Sequence, residues 1–566
     1  MKTISFVALI IILTGLFGYL NNLPQDVGLD VPDGKLNSLS FAPFREGQGP
    51  LDSIFPTVAE MEEDMQLMGK KTHNIRTYAS SEGEMSALPP LAKKYGLTMI
   101  QGAWLGFDKE DNHKEITALI QAANAYPDVI KRVIVGNEVL LRGDLKPEQL
   151  IEYIREVKRS VKQPVSYADV WSEYMKHPQL IKEVDFITIH ILPYWEDEPI
   201  LVTDAPAHIE RIYKQVQQEA NTMVPGMPIL IGESGWPGEG RQRGLAIPSV
   251  VNEAMFIRGL IKVATENGFD YNIVEAINQS WKSELEGVVG ANWGLYSVDR
   301  QEVFPLTGKV YENPAWRTAT ISAIVLFLIV VGFFWSALQR LPTLPLFGLL
   351  ALTQLLLLLW VNQIELLWYT SYSNWQRVQT ILQVGLSVML GGLLLQRIYG
   401  LLDKQAINLK MAAWLNTLYL VLVIYVLYKT YSLALHGRYI SFPNVATAIP
   451  VLGLIGLMLI QCLVAKKMLF TTLDLNSFLG GFLLKDALRK RIGYLLLFMG
   501  FALIAGESWA FIESRDFIAA YPAIGARVRV AVTYTLGNGQ LLLWLASLAV
   551  LSVPLLASDR QVLAQA

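Results

Sequence analysis

The apolar residues of this chain follow two different patterns. After an apolar run at residues 4–20, about 300 residues alternate short apolar segments with polar stretches rich in Gly and Pro. Beyond residue 317 the pattern changes to long apolar runs, at 319–338, 344–361, 379–397, 411–430, 446–465, 492–511 and 539–557. Each is close to the ~20 residues that cross the ~30 Å hydrocarbon core of a bilayer. The pattern predicts an N-terminal signal anchor at 1–20, an extracytoplasmic domain at 21–316, and an all-α polytopic membrane domain with about seven transmembrane helices at 317–566.

The N-terminal run has two interpretations. It follows a lone Lys2, which suits either a cleaved signal peptide or an uncleaved anchor. The residues at 18–22 do not form the small-x-small pattern that a signal peptidase requires. We therefore expect an uncleaved anchor.

The polar domain contains eight short strand candidates, each followed by a polar or helical stretch. They lie at 39–44, 74–79, 98–105, 132–139, 164–171, 185–194, 228–237 and 272–281. Such alternation is typical of parallel β/α architecture, and eight repeats in about 300 residues suit a closed barrel. The predicted fold class is α/β, a (β/α)8 TIM barrel followed by the all-α membrane domain.

Composition narrows the range of partners. The chain is 52% hydrophobic and 17% charged, with a mean hydropathy of +0.33, which is too apolar for a wholly soluble protein. Membrane lipid is therefore an expected partner. A net charge of −3 provides no basic excess for nucleic acid. The single Cys462 and six scattered His residues predict no disulfide, no metal site and no cofactor.

Basic residues in the loops predict the orientation. One set of loops and loop-flanking ends contains Arg397, Lys404, Lys410, Lys466, Lys467, Lys485, Arg489, Lys490, Arg491 and Arg560. The opposite loops contain fewer, including Arg377, Arg438 and Arg515. The positive-inside rule then places both termini in the cytoplasm, in a multi-pass protein of the inner (cytoplasmic) membrane. The barrel is expected outside, in the periplasm where one exists.

Two carboxylates are candidates for chemistry. Glu138 ends the fourth strand candidate, in VIVGNEV, and Glu233 ends the seventh, in ILIGESGWP. The carboxyl ends of barrel strands form the catalytic rim, and a buried Glu is costly without a partner or a role. Paired carboxylates on one rim suit glycoside hydrolysis, and Asn137 is a candidate to bind the sugar 2-hydroxyl. The alternative is that each Glu only pairs with an Arg or Lys of the rim.

Four motifs in the polar domain, VIVGNEV, IHILPYW, ILIGESGWP and EAINQSWK, resemble glycoside hydrolase family 17 in residues, order and spacing, as does the following GANWGLYS. The resemblance covers about residues 38–300 and implies a β-glucan substrate. It also implies that Glu138 is the acid/base and Glu233 the nucleophile of a retaining mechanism, with carboxyls about 5–5.5 Å apart. The resemblance further implies that Tyr194 hydrogen-bonds the nucleophile, and that Trp281 and Lys282 line the donor side. One departure is Gln279, where plant members carry a Glu.

The remaining site candidates each have a structural alternative. The candidates for substrate binding are Arg76, Tyr78, Trp104, Asp169, Trp195 and Trp236, with Phe107 beside Trp104 in a possible stacking pair. Arg76 is a candidate both for binding sugar hydroxyls and for orienting a catalytic carboxylate. For these residues the alternative is support of the rim. For His190 a satisfied core histidine is the more common interpretation.

Three functions remain open at this point. The first is cleavage of β-1,3-glucan with transfer of the glycosyl unit to another glucan, with hydrolysis as the alternative. The second is a component of a β-glucan synthase, although the longest predicted cytoplasmic loop, about 466–491, is too short for a nucleotide-binding domain. The third is a noncatalytic glucan-binding module. A glucan synthase that hands over nascent glucan is a possible partner.

Overall fold

The computed structural model describes residues 2–406, 408–465, 479, 481 and 483–557. Contacts within the chain divide it into two compact units, one of Pro24–Glu312 and one of Met1–Leu23 with Asn313–Ala566. The predicted loop residues Lys466, Lys467 and Arg560 lie outside the described residues.

The first unit is a closed barrel of eight parallel strands in sequential order. The strands are β1 Leu36–Ser40, β2 Thr72–Arg76, β3 Thr98–Ala103, β4 Ile130–Asn137, β5 Val165–Val170, β6 Ile187–His190, β7 Ile229–Ser234 and β8 Asp270–Ile273. The predicted (β/α)8 fold is confirmed. Strands β3, β5, β6 and β7 lie within their predicted segments, and β2 and β4 overlap theirs for most of their length. β1 begins three residues and β8 two residues before the predicted segment, and each shares only two residues with it.

Helices surround the strands. They are Val58–Lys71, Leu88–Lys94, Lys109–Ala125, Val139–Arg142, Pro147–Ser160, Trp171–Lys176, Ala205–Met223, Val250–Asn267 and Ser283–Gly290. Their starts follow local chemistry: Thr57 and Glu60 form a capping box before the first of them, and Asp108 caps the helix that begins at Lys109. The apolar helix faces pack on strand residues such as Val133 and Ile231, in one large core.

Buried side chains of two kinds occupy the barrel. One group is apolar and comes from β3 to β7, with Phe186 just before β6: Ile100, Ile134, Ala168, Phe186 and Leu230. Because the alternate residues of these strands pack on the helices, this group fills the interior.

The other group is polar and joins β8, β1 and β2. Asn272 accepts a hydrogen bond from Ser38 at 2.6 Å and donates to Ser40 at 2.8 Å, and Asn74 donates to Ser38 at 2.8 Å. Backbone register between β1 and β8 consists of the single pair Leu39 and Ile273. Side-chain hydrogen bonds therefore reinforce the closure of the barrel.

The second unit is helical. Eight of its described helices are long and apolar enough to cross a membrane: Lys2–Asn21, Trp316–Phe333, Thr343–Tyr369, Asn374–Leu402, Leu409–His436, Asn444–Leu463, Asp486–Ile512 and Gly539–Leu556. They coincide with the N-terminal run and the seven predicted runs. The structure adds two short helices that the apolar pattern does not predict, Arg515–Ala520 and Ile524–Leu536.

Polar contacts link some of these helices. Gln363 donates to Ser387 at 3.1 Å, and Ser387 donates to the carbonyl of Ala446 at 3.1 Å. Buried Arg489 donates to the carbonyls of Pro554 and Leu555 near the end of the last helix. Contacts of this kind satisfy backbone and side-chain polar groups that have no water partner in an apolar environment.

One acidic side chain of the barrel unit is buried without full pairing. Glu253, in the first turn of the helix Val250–Asn267, is 1% exposed, and its Oε1 has no hydrogen-bond partner in the described structure. Burial, together with the nearby charges of Glu275 and Glu312, raises the pKa of Glu253 well above its ordinary value. The folded protein therefore binds this proton more tightly than the unfolded chain does.

The Glu253→Gln substitution tests this assignment. A raised folded pKa gives stability that is present below the unfolded pKa and is lost as pH rises, by up to about 1.4 kcal/mol per pH unit. Glu253→Gln should remove this part of the pH dependence of the free energy of unfolding. The stability of the variant relative to the wild type should therefore increase between pH 5 and pH 8. Calorimetry of the detergent-solubilised chain measures the barrel transition. Glu266→Gln, on the same helix but exposed, should keep the wild-type slope. An equal slope in the wild type and Glu253→Gln would contradict the assignment.

Candidate active site

Glu138 lies directly after β4, where the backbone departs from regular strand geometry. The register between β4 and β5 shifts between Ile134 and Asn137, and Glu138 has a left-handed backbone with φ of 52°. Its amide donates to the carbonyl of Ala168 at 2.8 Å, which fixes this turn. Such a conformation costs a non-Gly residue about 1–3 kcal/mol and is concentrated at functional sites. The bulge aims a carboxylate whose side chain is 26% exposed out of the strand.

Glu233 lies on β7 and is held by a buried guanidinium. Arg76 Nη1, at the end of β2, donates to Glu233 Oε1 at 2.7 Å and to the carbonyl of Gly232 at 3.0 Å. Its Nη2 donates to Asn137 Oδ1 at 2.6 Å. Arg76 is 1% exposed. It therefore orients the carboxylate rather than reaching substrate, and it connects β2, β4 and β7.

His190, at the end of β6, lies between the two carboxylates. Its Nδ1 is 3.0 Å from Glu138 Oε1, and its Nε2 is 3.6 Å from Glu233 Oε1. One side-chain atom of each of the three residues lies within 4.8 Å of the other two. Three such ligands are also a possible metal site, but the guanidinium of Arg76, 2.7 Å from Glu233, disfavours a cation there.

The two carboxylates have different electrostatic environments. Burial alone raises the pKa of Glu233, but the charges of His190 and Arg76, the Arg76 hydrogen bond and the charge of Lys282 together hold that pKa below its ordinary value. Glu233 is therefore ionised at neutral pH. Glu138 has His190 as the only hydrogen-bond partner of its carboxylate among the described residues.

Glu275 is a site residue that the sequence analysis missed. It follows β8, is 1% exposed, and receives two hydrogen bonds from Lys282 Nζ, at 2.9 and 2.8 Å. The signal was present, because Glu275 begins the string EAINQSWK. Lys282 thus pairs with a buried acid, and its charge also acts on Glu233.

Aromatic side chains follow β3, β6 and β8 on the carboxyl side of the strands. Trp195 is half-buried and stacks on Trp293 with ring centres 6.4 Å apart. Trp281 donates its indole N–H to Gln279 Oε1 at 3.0 Å, which gives Gln279 a positioning contact. Phe107 is 82% exposed.

The Trp104 ring lies on the Glu138 side. It is 39% exposed, and Arg142 lies over it at 4.4 Å while also donating to the carbonyl of Asn137. Tyr78 is half-buried, contacts Arg76 through its ring, and donates to Ser40 Oγ at 2.9 Å.

Asn137 keeps hydrogen-bonding capacity. Its Oδ1 is occupied by Arg76, whereas its Nδ2 contacts no acceptor among the residues that the structure describes. The predicted contact with a sugar hydroxyl remains a prediction.

Three predicted roles are wrong. The hydroxyl of Tyr194 donates its single proton to the carbonyl of Arg241, so it does not donate to Glu233. Trp236 is fully buried against Tyr194 and Phe256, with its N–H on the carbonyl of Ile247, and cannot stack on a sugar.

Asp169 is the third of these. It is fully buried, and its oxygens accept from the Tyr167 hydroxyl and from the Val170 amide, so it is not a substrate contact. Burial raises the pKa of Asp169 to about 6, with the charge of Glu138 adding to the effect. Asp169 therefore belongs to the support beneath Glu138.

Comparison with known proteins finds similarity over the barrel part of the chain. Residues 38–294 match the family model described as the BtgE/BtgC glycoside hydrolase domain. A glucan 1,3-beta-glucosidase from Arthroderma benhamiae is 28% identical over 270 residues, which cover 44% of this chain and 85% of that protein. One from Schizosaccharomyces pombe is 29% identical over 254 residues, 41% of this chain and 76% of that protein. Among solved structures, the glycoside hydrolase family 17 beta-1,3-glucanosyltransferase from Rhizomucor miehei is 26% identical, with a TM-score of 0.41, and covers 47% of this chain and 95% of its own.

A barrel of this topology with this matched domain defines a glycoside hydrolase or transglycosylase. More particularly, the resemblance to glycoside hydrolase family 17 is confirmed, with the BtgE/BtgC domain as the part of the chain that matches.

Removing the charge of Arg76 should shift the pH dependence of glycoside cleavage. Without the guanidinium the pKa of Glu233 rises, so the ionised form is reached only at higher pH and the acid limb of kcat/KM moves up by about 1 unit or more. The pH profile of kcat/KM in Arg76→Gln measures this shift of the acid limb. A loss of about 100-fold in kcat/KM should accompany it. Arg132→Gln removes an Arg that pairs with Asp270 at the other end of the strands, and should leave the limb unchanged. A rate loss without movement of the limb would show that Arg76 acts only structurally.

Proposed function

We propose that the barrel cleaves β-1,3-glucan with retention of configuration, with Glu233 as nucleophile and Glu138 as acid/base. The observation that carries the proposal is the spacing of the two carboxylates, an oxygen of each lying within 4.8 Å of the other. Retaining enzymes hold their carboxyls about 5–5.5 Å apart, whereas inverting enzymes leave about 6.5–9.5 Å for a water molecule.

The environments of the two groups support these roles. Glu233 is ionised and fixed by Arg76, as attack on an anomeric carbon requires. Glu138 is more exposed and pairs with a titratable imidazole, which suits a group that gives and takes a proton. In the first step the Glu233 oxygen bonds to the anomeric carbon while the proton goes to the departing glycosidic oxygen. In the second, an acceptor hydroxyl displaces Glu233 and its proton returns to the enzyme.

The substrate class comes from the relatives. The two relatives described above are named glucan 1,3-beta-glucosidases, and each is matched over more than three quarters of its length. The match includes the segments that contain Glu138 and Glu233. We therefore assign a β-1,3-linked glucan as donor.

Transfer to a second glucan is favoured over hydrolysis by the surface near Glu138. The leaving group and the acceptor both occupy the side of the acid/base, because that group protonates one and deprotonates the other. Trp104, contacted by Arg142, presents an aromatic face on this side, and the exposed Phe107 follows it by three residues. Aromatic faces bind sugar rings, and a bound sugar excludes water from the intermediate.

The helical unit supports a location at a membrane. Eight described helices have the length and hydropathy of membrane spans. With the positive-inside rule, we place the barrel on the outer side of the cytoplasmic membrane, where it acts on glucan outside the cell or in a periplasm. Protease shaving of intact spheroplasts should release barrel fragments if this orientation is correct.

Product analysis tests the catalytic assignment. The solubilised full-length protein should convert reduced-end-labelled laminari-oligosaccharides into both shorter and longer products. Glu233→Ala should lower this activity by about 10⁴-fold or more, since no covalent intermediate forms. Glu138→Ala should lose activity similarly but form a β-glucosyl azide when azide is added. Glu210→Ala, on the outer face of a barrel helix, is the control and should match the wild type. Activity that survives in Glu233→Ala would exclude the mechanism.

Phe107→Ala should change the fate of the intermediate rather than its formation. Loss of a stacked ring weakens acceptor binding by about 1 kcal/mol, roughly 5-fold. The ratio of longer to shorter products should fall by that factor at constant donor consumption. Phe55→Ala, a less exposed ring against Phe44, serves as control. An unchanged ratio would remove Phe107 from the acceptor site.

A further inference from the structure

The position of His190 is not explained by packing alone. The ring is 0% exposed, yet Nδ1 contacts one carboxylate and Nε2 points to another, without a hydrogen bond of its own in the described structure. Gly232 on β7 faces the same space: a Cβ there would lie 2.3 Å from a methyl carbon of Thr188, which is a clash, and 3.5 Å from Nε2 of His190, which is ordinary contact. The satisfied core histidine expected from sequence is therefore not what the structure contains.

The partners of the two carboxylates differ in one decisive property. Glu233 is paired with Arg76, a guanidinium that does not lose its proton in proteins. Glu138 is paired with His190, the side chain whose charge changes most readily near neutral pH. One carboxylate is thus paired with a fixed positive charge, and the other shares a site with a second proton carrier.

Other charged groups act on His190 or its carboxylate neighbours from the elements around it. They are Asp169 on β5, Arg76 on β2, and Glu275 and Lys282 after β8, in addition to Glu138 and Glu233. Arg76 and Lys282 are cations already paired with Glu233 and Glu275, and Asp169 is hydrogen-bonded to Tyr167. Glu138 is the group that makes a hydrogen bond to the ring.

We propose that His190 is a positioning residue that shares the catalytic proton with Glu138 and couples it to the charge on Glu233. This inference rests on the proposed function. In the resting site the Glu138–His190 pair holds one proton, favoured by the negative charge of Glu233 3.6 Å from Nε2. When Glu233 forms its bond to the anomeric carbon, that proton leaves with the glycosidic oxygen, and the carboxylate charge disappears.

The second half of the cycle restores this state. Beside an esterified Glu233, the pair is neutral imidazole and carboxylate, which is the form that accepts a proton from the acceptor hydroxyl. As the acceptor oxygen bonds to the anomeric carbon, Glu233 departs as carboxylate and the pair regains one proton. His190 thereby makes Glu138 an acid before glycosylation and a base after it.

Leaving-group dependence in His190→Gln tests this role in the full-length protein. Gln can still donate to Glu138 but cannot exchange its proton. Toward a laminari-oligosaccharide, kcat/KM should fall by about 100-fold, the effect of general acid catalysis. The leaving group of 2,4-dinitrophenyl β-laminaribioside departs without a proton and needs no general acid. Toward this substrate kcat/KM should therefore stay within about 5-fold of the wild type. A burst of dinitrophenolate should appear, because the second step lacks its base.

Two further variants make the test decisive. His190→Gln in a Glu138→Ala background should cause no additional loss, because both act on the same proton. His208→Gln is the control. The His208 side chain is also largely buried, and its Nε2 lies 2.6 Å from a carboxylate oxygen of Glu196. It should leave both substrates unaffected.

The opposite results would overturn the inference. Equal losses on both donors, or additive losses with Glu138→Ala, would make His190 a structural support of the rim. If the wild type neither cleaves the oligosaccharide nor releases dinitrophenolate, the proposed function itself fails, and the role of His190 falls with it.

Discussion

The buried guanidinium of Arg76 is the interaction on which the rest of the site depends. It binds a carboxylate on β7, a side-chain amide at the end of β4 and a backbone carbonyl, from its own place on β2. A buried charge is costly without an opposite charge beside it, and removal of one partner of such a pair costs about 3–5 kcal/mol. Arg76 therefore fixes the distance between strands that are not neighbours in the barrel. The difference between Glu233 and Glu138 follows from which of them it reaches.

The sequence predicted the strands and the two candidate carboxylates at their ends for one reason. Each strand is a short β-branched run with a polar end. An acidic residue at that end, such as Glu138 or Glu233, is easily recognised because it interrupts the apolar pattern. The rim of a parallel barrel then brings such ends together without further information. Two of the motifs, VIVGNEV and ILIGESGWP, were sufficient to place Glu138 and Glu233 on the same rim.

What the sequence did not predict depends on where a side chain points after its strand ends. Tyr194 and Trp236 lie in loops whose aromatic rings pack on each other, and no periodicity distinguishes such a ring from one that faces a sugar. Glu275 was overlooked because its partner Lys282 lies seven residues away in a turn. In the helical unit, Ile524–Leu536 was missed since its 13 residues are too few for a spanning run.

The polar contacts between β8 and β1 determine which strands pair when the barrel closes. Apolar packing between strands is nearly indifferent to partner, whereas the Ser38, Ser40 and Asn272 hydrogen bonds require one strand at one height. The first and last strands thus carry complementary polar groups, which can pair only when all the strands between them are in place. In an incomplete barrel these polar groups would lie against the wrong strand without hydrogen-bond partners. The same atoms that close the finished barrel therefore disfavour closure of an unfinished one.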